Sequence, residues 1–428
     1  MSSLAAYASS PGGLASPESS GLNPLAVDLA RENVALSDAP DLAGVVAGMR
    51  ALSAELHRTS ATVAGNWTIS PLSIDLAFGM LRAGSRGSTA RELDEVFGFA
   101  TGSVPQGAPH AALNALAAHL TTTGPVPTTP SAAPAGHAAL APIVAIANGL
   151  FLDRTYSAEI ERDFLATLAT QYGASLTTVS FHDPSATSAI NEWVARQTRD
   201  RIKKLFDSLD PETVLVLANA VYLKATWRNQ FSEHATTDGP FTTPAGQPVP
   251  ARLMRAQFHG VRYAAGEDWQ RVSLPYVGNE LAMRIVVPAG HASDVASLGP
   301  ALAAASQPSL NDRPAWVDLT LPKWDTATNL ALVTALGKLG LADVFSSRAD
   351  LSGIAPRLFV SDAIHRANIT VDELGTEAAA VTGIAARATA ISEGPPIVMR
   401  ADRPFAWAVV HEPTATPIFT GHVTNPAV

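Results

Sequence analysis

The run from Gly375 to Gly394 constrains this chain more than any other stretch. Asn368 to Asp372 before it reads as strand and Pro395-Pro396 closes it, while inside it nothing is large except Ile384, Arg387 and Ile391. Neither a helical nor a strand period commands the segment, so the sequence predicts a long exposed loop over 375–394. Loops of that length are uncommon in compact domains, and those that occur are functional or disordered. Two readings stay open. Ala, Thr and Gly fill flexible tethers as readily as sites. Counted as a strand, however, Thr376, Ala378, Ala380, Thr382, Ile384, Ala386 and Ala388 share one face, while Glu377, Ala379, Val381, Gly383, Ala385 and Arg387 share the other. Both charges fall on the second face. The first is small and uncharged throughout, as a strand needs if it is to slide between two others over a packed core.

The remainder of the chain can supply such a core. Of its 428 residues 47% are hydrophobic and 16% charged, enough to bury a large interior and too apolar for a disordered chain. A net charge of -9 argues against nucleic acid or an anionic membrane as the main partner. Without cysteine there is no disulfide, thiolate nucleophile or Cys-ligated metal. No apolar run is long enough to span a bilayer. Residues 1–40 read as a low-complexity, mobile tail; Met1 to Asn23 is mostly Ser, Gly, Ala and Pro, and lacks the basic start and apolar core of a secretory signal.

From Asp41 to His57, Leu42, Val45, Val46, Met49, Leu52 and Leu56 form one helical face. Leu72 to Leu81 is apolar nearly all round, the pattern of a buried helix, and Thr89 with Glu92 has the spacing of a capping box that would start another. Residues 121–136, rich in Thr, Pro, Ala and Gly, read as a surface insertion. Ile190, Trp193, Val194, Ile202, Leu205 and Phe206 suggest an amphipathic helix. Val214 to Leu223 is a near-continuous apolar strand, buried on both faces, with Asn219 inside it needing partners. Ile143–Leu152, Val272–Tyr276, Leu281–Val287, Val317–Leu321, Leu358–Val371, Ile397–Arg400, Phe405–Val410 and Pro417–Val423 read as strands, and Asn329–Leu339 as helix. No linker interrupts 41–428. The pattern predicts a single α+β domain with a large mixed main sheet, smaller sheets and about eight or nine helices.

Several blocks carry a family resemblance. Glu373-Leu-Gly-Thr-Glu-Ala-Ala-Ala-Val-Thr382 resembles the hinge of the reactive-centre loop of the serpins, the serine protease inhibitors. Asn66 to Ser73 is similar to the family's entry into its buried helix, Asn191 to Thr198 to the helix across its main sheet, and Ala218 to Trp227 to its central strand. Leu321-Pro-Lys323, Ala349 to Gly353, His365, Ala401 to Phe405 and Gly421 to Pro426 also match, in the family's order. Leu223 and Leu351 depart from it, standing where the family usually has Phe. Taken together the blocks resemble an inhibitory member of bacterial type.

The resemblance implies function as well as fold. A serine endopeptidase would take the loop as substrate and become acylated, whereupon the freed strand would enter the main sheet and drag the enzyme with it. The hinge would be Glu373, Gly375, Thr376, Glu377, Ala378, Ala379, Ala380 and Thr382. Ser70, Ser73, Asn219 and His365 resemble the shutter, where the sheet parts, although His365 could equally be a satisfied core histidine. Trp227, Lys323 and Glu373 resemble the breach, where the loop enters; Lys323 with Glu373 would be worth about 0–1 kcal/mol if exposed. Usual spacing puts the reactive bond between Thr389 and Ala390, favouring elastase- or subtilisin-type targets. Arg387, suited to a trypsin-like protease, and Ile391 are the alternatives. The implied protein is a monomer without cofactor, not an enzyme. Family habit places it outside the cell, whereas the signal-less start suggests the cytoplasm.

Other classes find less support. No Gly-x-Ser-x-Gly, P-loop or dinucleotide motif is present, and His411-Glu412 lacks a second His at metalloprotease spacing. A non-inhibitory serpin, acting as carrier, chaperone or storage protein, is the alternative; such members tend to carry bulky or charged hinge residues, and this hinge has none on its small face.

Overall fold

The computed structural model describes residues 21–61, 65–99, 108–120, 142–198, 200–290, 292–308, 311–376 and 395–427. In chain order the first half comprises β1 (Asn23–Leu25), α1 (Leu42–Ser60), β2 (Trp67–Ile69), α2 (Pro71–Gly84), α3 (Gly87–Phe97), α4 (Ala108–Leu120), β3 (Ile143–Asp153), α5 (Arg162–Thr167), β4 (Leu176–Val179), α6 (Ala186–Gln197) and β5 (Leu215–Thr226). The second comprises β6 (Thr237–Thr242), β7 (Pro248–Ala265), β8 (Trp269–Pro275), β9 (Leu281–Pro288), α7 (Val295–Ser306), β10 (Arg313–Pro322), β11 (Trp324–Ala331), α8 (Leu332–Gly337), β12 (Asp362–Val371), β13 (Gly375–Thr376), β14 (Ile397–Arg400), β15 (Phe405–His411) and β16 (Thr416–Val423). The strands form a seven-stranded sheet in the order β1-β4-β3-β5-β13-β12-β11 and a nine-stranded sheet running β14-β10-β7-β8-β9-β15-β16-β2, with β6 on β7. This is the α+β architecture expected.

The sequence explains why the seven-stranded sheet is buried at its centre. Along β5, Leu215, Leu217, Val221 and Leu223 pack into the main core, while Val216, Ala218 and Ala220 pack with Ile190 and Val194 of α6 on the opposite face. A strand covered on both sides loses the polar–apolar alternation of a surface strand. Asn219 has the parity of the core face. On that side lies α2, buried nearly all round; Pro71 opens it and the Ser70 hydroxyl accepts from Ser73 N at 3.2 Å as its N-cap.

Several expectations need correction. The tail reading fails for residues 21–40: β1 pairs antiparallel with β4, Leu22 is buried, Glu32 N donates to Thr170 O at 2.8 Å and Arg31 Nη2 to Asn114 O at 3.1 Å. Strand pairing, these hydrogen bonds and the packing of Leu22, Leu36 and Ala39 order the stretch. Thr89 and Glu92 are no capping box. The helix begins at Gly87, and their side chains accept instead from Asp350 N and from Ala342 N and Asp343 N, fastening a distant loop. The amphipathic helix over 190–206 stops at Gln197; Ile202, Leu205 and Phe206 are buried without helix, their turn held by Asn191 Oδ1, which accepts from Leu205 N and Phe206 N. Asn329–Ala331, read as helix, ends β11, because its ladder with β12 reaches Ala331. The insertion at 121–136 lies outside the described residues.

Candidate functional site

Two central strands of the seven-stranded sheet are joined at one end and forked at the other. β5 and β12 run parallel and pair directly from Val216 to Val221 against Asp362 to Ala367. Beyond Val221 they admit β13, whose Gly375 lies opposite Thr226 and whose Thr376 lies opposite both Ala225 and Val371. The chain thus leaves β12, reverses through Asp372–Leu374 and starts back between the two strands. Asp372 makes the reversal: its Oδ1 accepts from Leu374 N at 2.8 Å and Gly375 N at 3.2 Å, and its own N–H donates to Gly375 O at 3.0 Å. Gly375 has φ +149°, and a Cβ there would lie 2.1 Å from Ala225 O. Only glycine fits.

Side chains and backbone groups around the fork hold β13 in place. Trp227 N donates to Leu374 O at 2.9 Å and its indole Nε1 to Asp372 O at 3.0 Å. Its ring stacks on Tyr276, with centroids 4.5 Å apart and an 8° interplanar angle. The Tyr276 hydroxyl meets Thr376 Oγ1 at 2.7 Å, so the first inward side chain of the loop is already hydrogen-bonded in the core. Burial pushes the Tyr276 hydroxyl far up, and it stays protonated. Glu373 accepts from Lys323 Nζ at 2.7 Å and from Thr236 Oγ1 at 2.8 Å, while its carbonyl accepts from Phe231 N at 3.0 Å. Burial raises the Glu373 carboxyl, but the hydrogen bonds from Lys323 and Thr236 outweigh it and hold the pKa below the usual range. The pair is exposed on its cation side only. The Glu373 side chain is only 5% accessible against 37% for Lys323, so removing the cation would strand a buried carboxylate at a cost on the order of 2 kcal/mol.

Below the fork the two strands are locked by a polar cluster. His365 lies opposite Asn219 in the parallel ladder, and Asn219 lies opposite Asn148 in the ladder with β3. Ser70 N donates to His365 Nε2 at 3.0 Å, so Nδ1 carries the proton and donates to Asn219 Oδ1. Asn219 Nδ2 in turn donates to Ser73 O at 2.7 Å, to Ser73 Oγ at 2.8 Å and to Asn148 Oδ1. Burial lowers the His365 pKa to about 3, which keeps the imidazole neutral as these bonds require. Ser70, Ser73, Asn219 and His365 are therefore one buried network tying α2 to both strands. Trp227, Lys323 and Glu373 meet at the entrance with Gly375 and Thr376. Glu377, Ala378, Ala379, Ala380, Thr382, Arg387, Thr389, Ala390 and Ile391 lie outside the described residues.

Four contributors escaped sequence reasoning: Asn148, Tyr276, Thr236 and Asp372. Asn148 left a signal, a lone amide within the apolar strand Ile143–Leu152, of the kind that drew attention to Asn219. Tyr276 and Thr236 left none, since each becomes special only by facing a residue 100 or more positions away.

Comparison with known proteins agrees with this geometry. Residues 48–426 match the family model described as Serpin (serine protease inhibitor). The chain is 33% identical over 381 residues to leukocyte elastase inhibitor of Sus scrofa, covering 85% of this chain and 94% of that protein. It is 34% identical over 369 residues to Iripin-2 of Ixodes ricinus, covering 84% and 88%. The fold is similar to that of the thermophilic serpin Tengpin in its native state, with a TM-score of 0.77 and 24% identity over 94% of this chain and all (100%) of that one. Serpin48 of Tenebrio molitor gives a TM-score of 0.75 at 25% identity over 90% and 98%. A sheet forked around the start of its own loop, sequence blocks in family order and a match over nearly the whole chain lead to one conclusion: this protein belongs to the serpins, a family of serine protease inhibitors rather than of enzymes.

Proposed function

We propose that the chain is a suicide-substrate inhibitor of a serine endopeptidase, of elastase or subtilisin type. The observation that carries this reading is the seating of Gly375 and Thr376 between β5 and β12. Continued residue by residue, that register sets Ala380 opposite Val221, Thr382 opposite Asn219 and Ala385 opposite Val216. Insertion as far as Ala385 would therefore replace the whole parallel ladder by an antiparallel one. Thr376 faces the core, so Ala378, Ala380 and Thr382 would follow it inward. All are small enough to enter packed space with little rotamer freedom to lose.

The protease serine attacks the carbonyl of Thr389, the bond to Ala390 breaks, and the new amine leaves with the C-terminal fragment while the ester holds the enzyme. From Thr376 to Thr389 an inserted strand at about 3.3 Å per residue carries that ester on the order of 45 Å. Pulling the acylated serine against the far end of the sheet distorts the oxyanion hole, and loss of one donor there already slows deacylation about a hundredfold or more. Likeness to leukocyte elastase inhibitors supports the elastase-type target. Arg387 is the site a trypsin-like protease would choose, and Ile391 is the third. A bacterial type rests on the sequence resemblance alone, and action outside the cell on family habit.

Incubation with elastase-, subtilisin-, trypsin- and chymotrypsin-type proteases tests the proposal. A denaturant-resistant band of summed mass is expected, with a released peptide beginning at Ala390. Ala378→Arg should be cleaved without trapping, since it drives a charged chain into the core face. Cleavage by every protease without a covalent complex would instead favour a carrier, chaperone or storage role.

A further inference from the structure

Three side chains from distant parts of the chain converge beside the nine-stranded sheet. His119 lies near the C-terminal end of α4, Glu280 in the turn between β8 and β9, and His411 at the end of β15. One ligand atom from each can be chosen so that all lie within 4.8 Å of one another. His119 Nε2 is 3.5 Å from Glu280 Oε2, close to the roughly 3.3 Å separating two ligands that each lie about 2.0–2.1 Å from a tetrahedral ion. The two imidazoles stand 5.0 Å apart, centroid to centroid.

The second observation is the state of His411. It is fully buried, and its Nε2 has no hydrogen-bond partner. Its Nδ1 meets Thr414 Oγ1 at 2.7 Å, and Thr414 Oγ1 meets Thr416 Oγ1 at 2.6 Å. In one consistent arrangement the ring N–H donates to Thr414, Thr414 donates to Thr416, and Nε2 presents a bare lone pair. That is how a metal-bound histidine is held by its outer partner. A simple His119–Glu280 ion pair accounts for neither the third ligand nor the orphaned nitrogen. Glu412, the adjacent carboxylate, is engaged by Arg284 at 3.1 Å and Arg262 at 3.6 Å and accordingly stands outside the donor set. The turn itself is anchored by Glu412 N donating to Glu280 O at 2.8 Å.

We propose that His119, Glu280 and His411 bind a single zinc-type transition-metal dication, which staples the end of α4 to the β8–β9 turn and the β15–β16 hairpin. Two imidazoles and one carboxylate suit Zn2+ and its neighbours better than Mg2+ or Ca2+, and leave a fourth position for water. Small adjustments of the exposed His119 and Glu280 side chains close the site around the buried His411.

Isothermal titration of the full chain with ZnCl2, after EDTA treatment and dialysis, tests this. Saturation at one Zn2+ per chain is expected, with Co2+ giving the visible bands of a tetrahedral site and Mg2+ failing to compete. His119→Gln and Glu280→Gln alter exposed residues and should leave the fold intact while weakening Zn2+ binding tenfold or more. Thr414→Val, which touches no ion, should weaken it about 10- to 100-fold by freeing the His411 ring. Binding unchanged in His119→Gln and Glu280→Gln, or no saturable Zn2+ binding in the parent, would overturn the assignment.

Discussion

Replacing Asn219 by Ala removes the group through which β5 holds both β12 and α2. In the parent, Asn219 Oδ1 accepts from His365 Nδ1, and its Nδ2 donates to Ser73 O, Ser73 Oγ and Asn148 Oδ1; Asn219, His365 and Ser73 are fully buried and Asn148 half-buried. The variant leaves the fully buried His365 N–H and the half-buried Asn148 carbonyl oxygen without their partner. At about 1–3 kcal/mol for each stripped group, the uncleaved protein should lose on the order of 2–6 kcal/mol. Ser73 O is less affected, because Asn148 Nδ2 also donates to it at 3.3 Å. In the cleaved, loop-inserted form proposed above, Thr382 takes the place opposite Asn219, so the His365 bond is already gone and the same substitution should cost roughly half as much. Urea unfolding of intact and protease-cleaved protein, parent against variant, measures both numbers. Asn219→Ala should lower the intact midpoint more than the cleaved one and hasten loss of inhibitory activity on storage. An equal or larger loss in the cleaved form would refute the reasoning that the cluster acts as a latch specific to the closed sheet.

Three further expectations follow from single residues. His365 and His57 are both lowered by burial to about 3 from an ordinary 6.5, so below pH 6.5 the unfolded chain binds more protons than the folded one. Each histidine should therefore subtract up to about 1.4 kcal/mol of stability per pH unit between 6.5 and about 3, seen as a falling urea midpoint on acidification. Asp75 works in the opposite sense. Its carboxyl is wholly buried with neither oxygen hydrogen-bonded and its pKa raised well above the ordinary value by burial, so it weakens the fold as pH rises past 3.8. Asp75→Leu should stabilise the protein by about 1–3 kcal/mol at pH 7, and an unchanged or lower midpoint would contradict that. Gly375→Ala forces a side chain into positive φ and against Ala225 O, a strain on the order of 1–3 kcal/mol or more; faster proteolysis near the hinge would report displacement of β13.

Much of the fold was legible because its signals are local. Val214–Leu223 reads as a strand covered on both faces, and β5 is one; Leu72–Leu81 reads as a buried helix, and α2 is one. β11 was hidden because its buried face carries Thr326 beside Trp324 and Leu330, so polar side chains mask the alternation. The 18-residue β7 was hidden as well, its sequence broken by Pro, Arg and Gln at positions where pairing with β6, β8 and β10 supplies the order that periodicity does not.

For the candidate site the division is sharper. By itself the sequence determined that a small, uncharged strand face follows a glycine at 375, and that lone polar residues such as Asn219 and His365 stand in apolar strands where they must find partners. Those are properties of side-chain size, charge and spacing, written in consecutive residues. Only the tertiary structure decided who the partners are: Tyr276 for Thr376, Ser70 and Asn219 for His365, Lys323 and Thr236 for Glu373, and His119 and Glu280 beside His411. The physical reason is that hydrogen bonding and metal ligation act over about 3 Å, whereas these groups are separated by 50 to 295 positions along the chain and by 131 or more in the histidine–glutamate cluster, distances that only the closed core collapses.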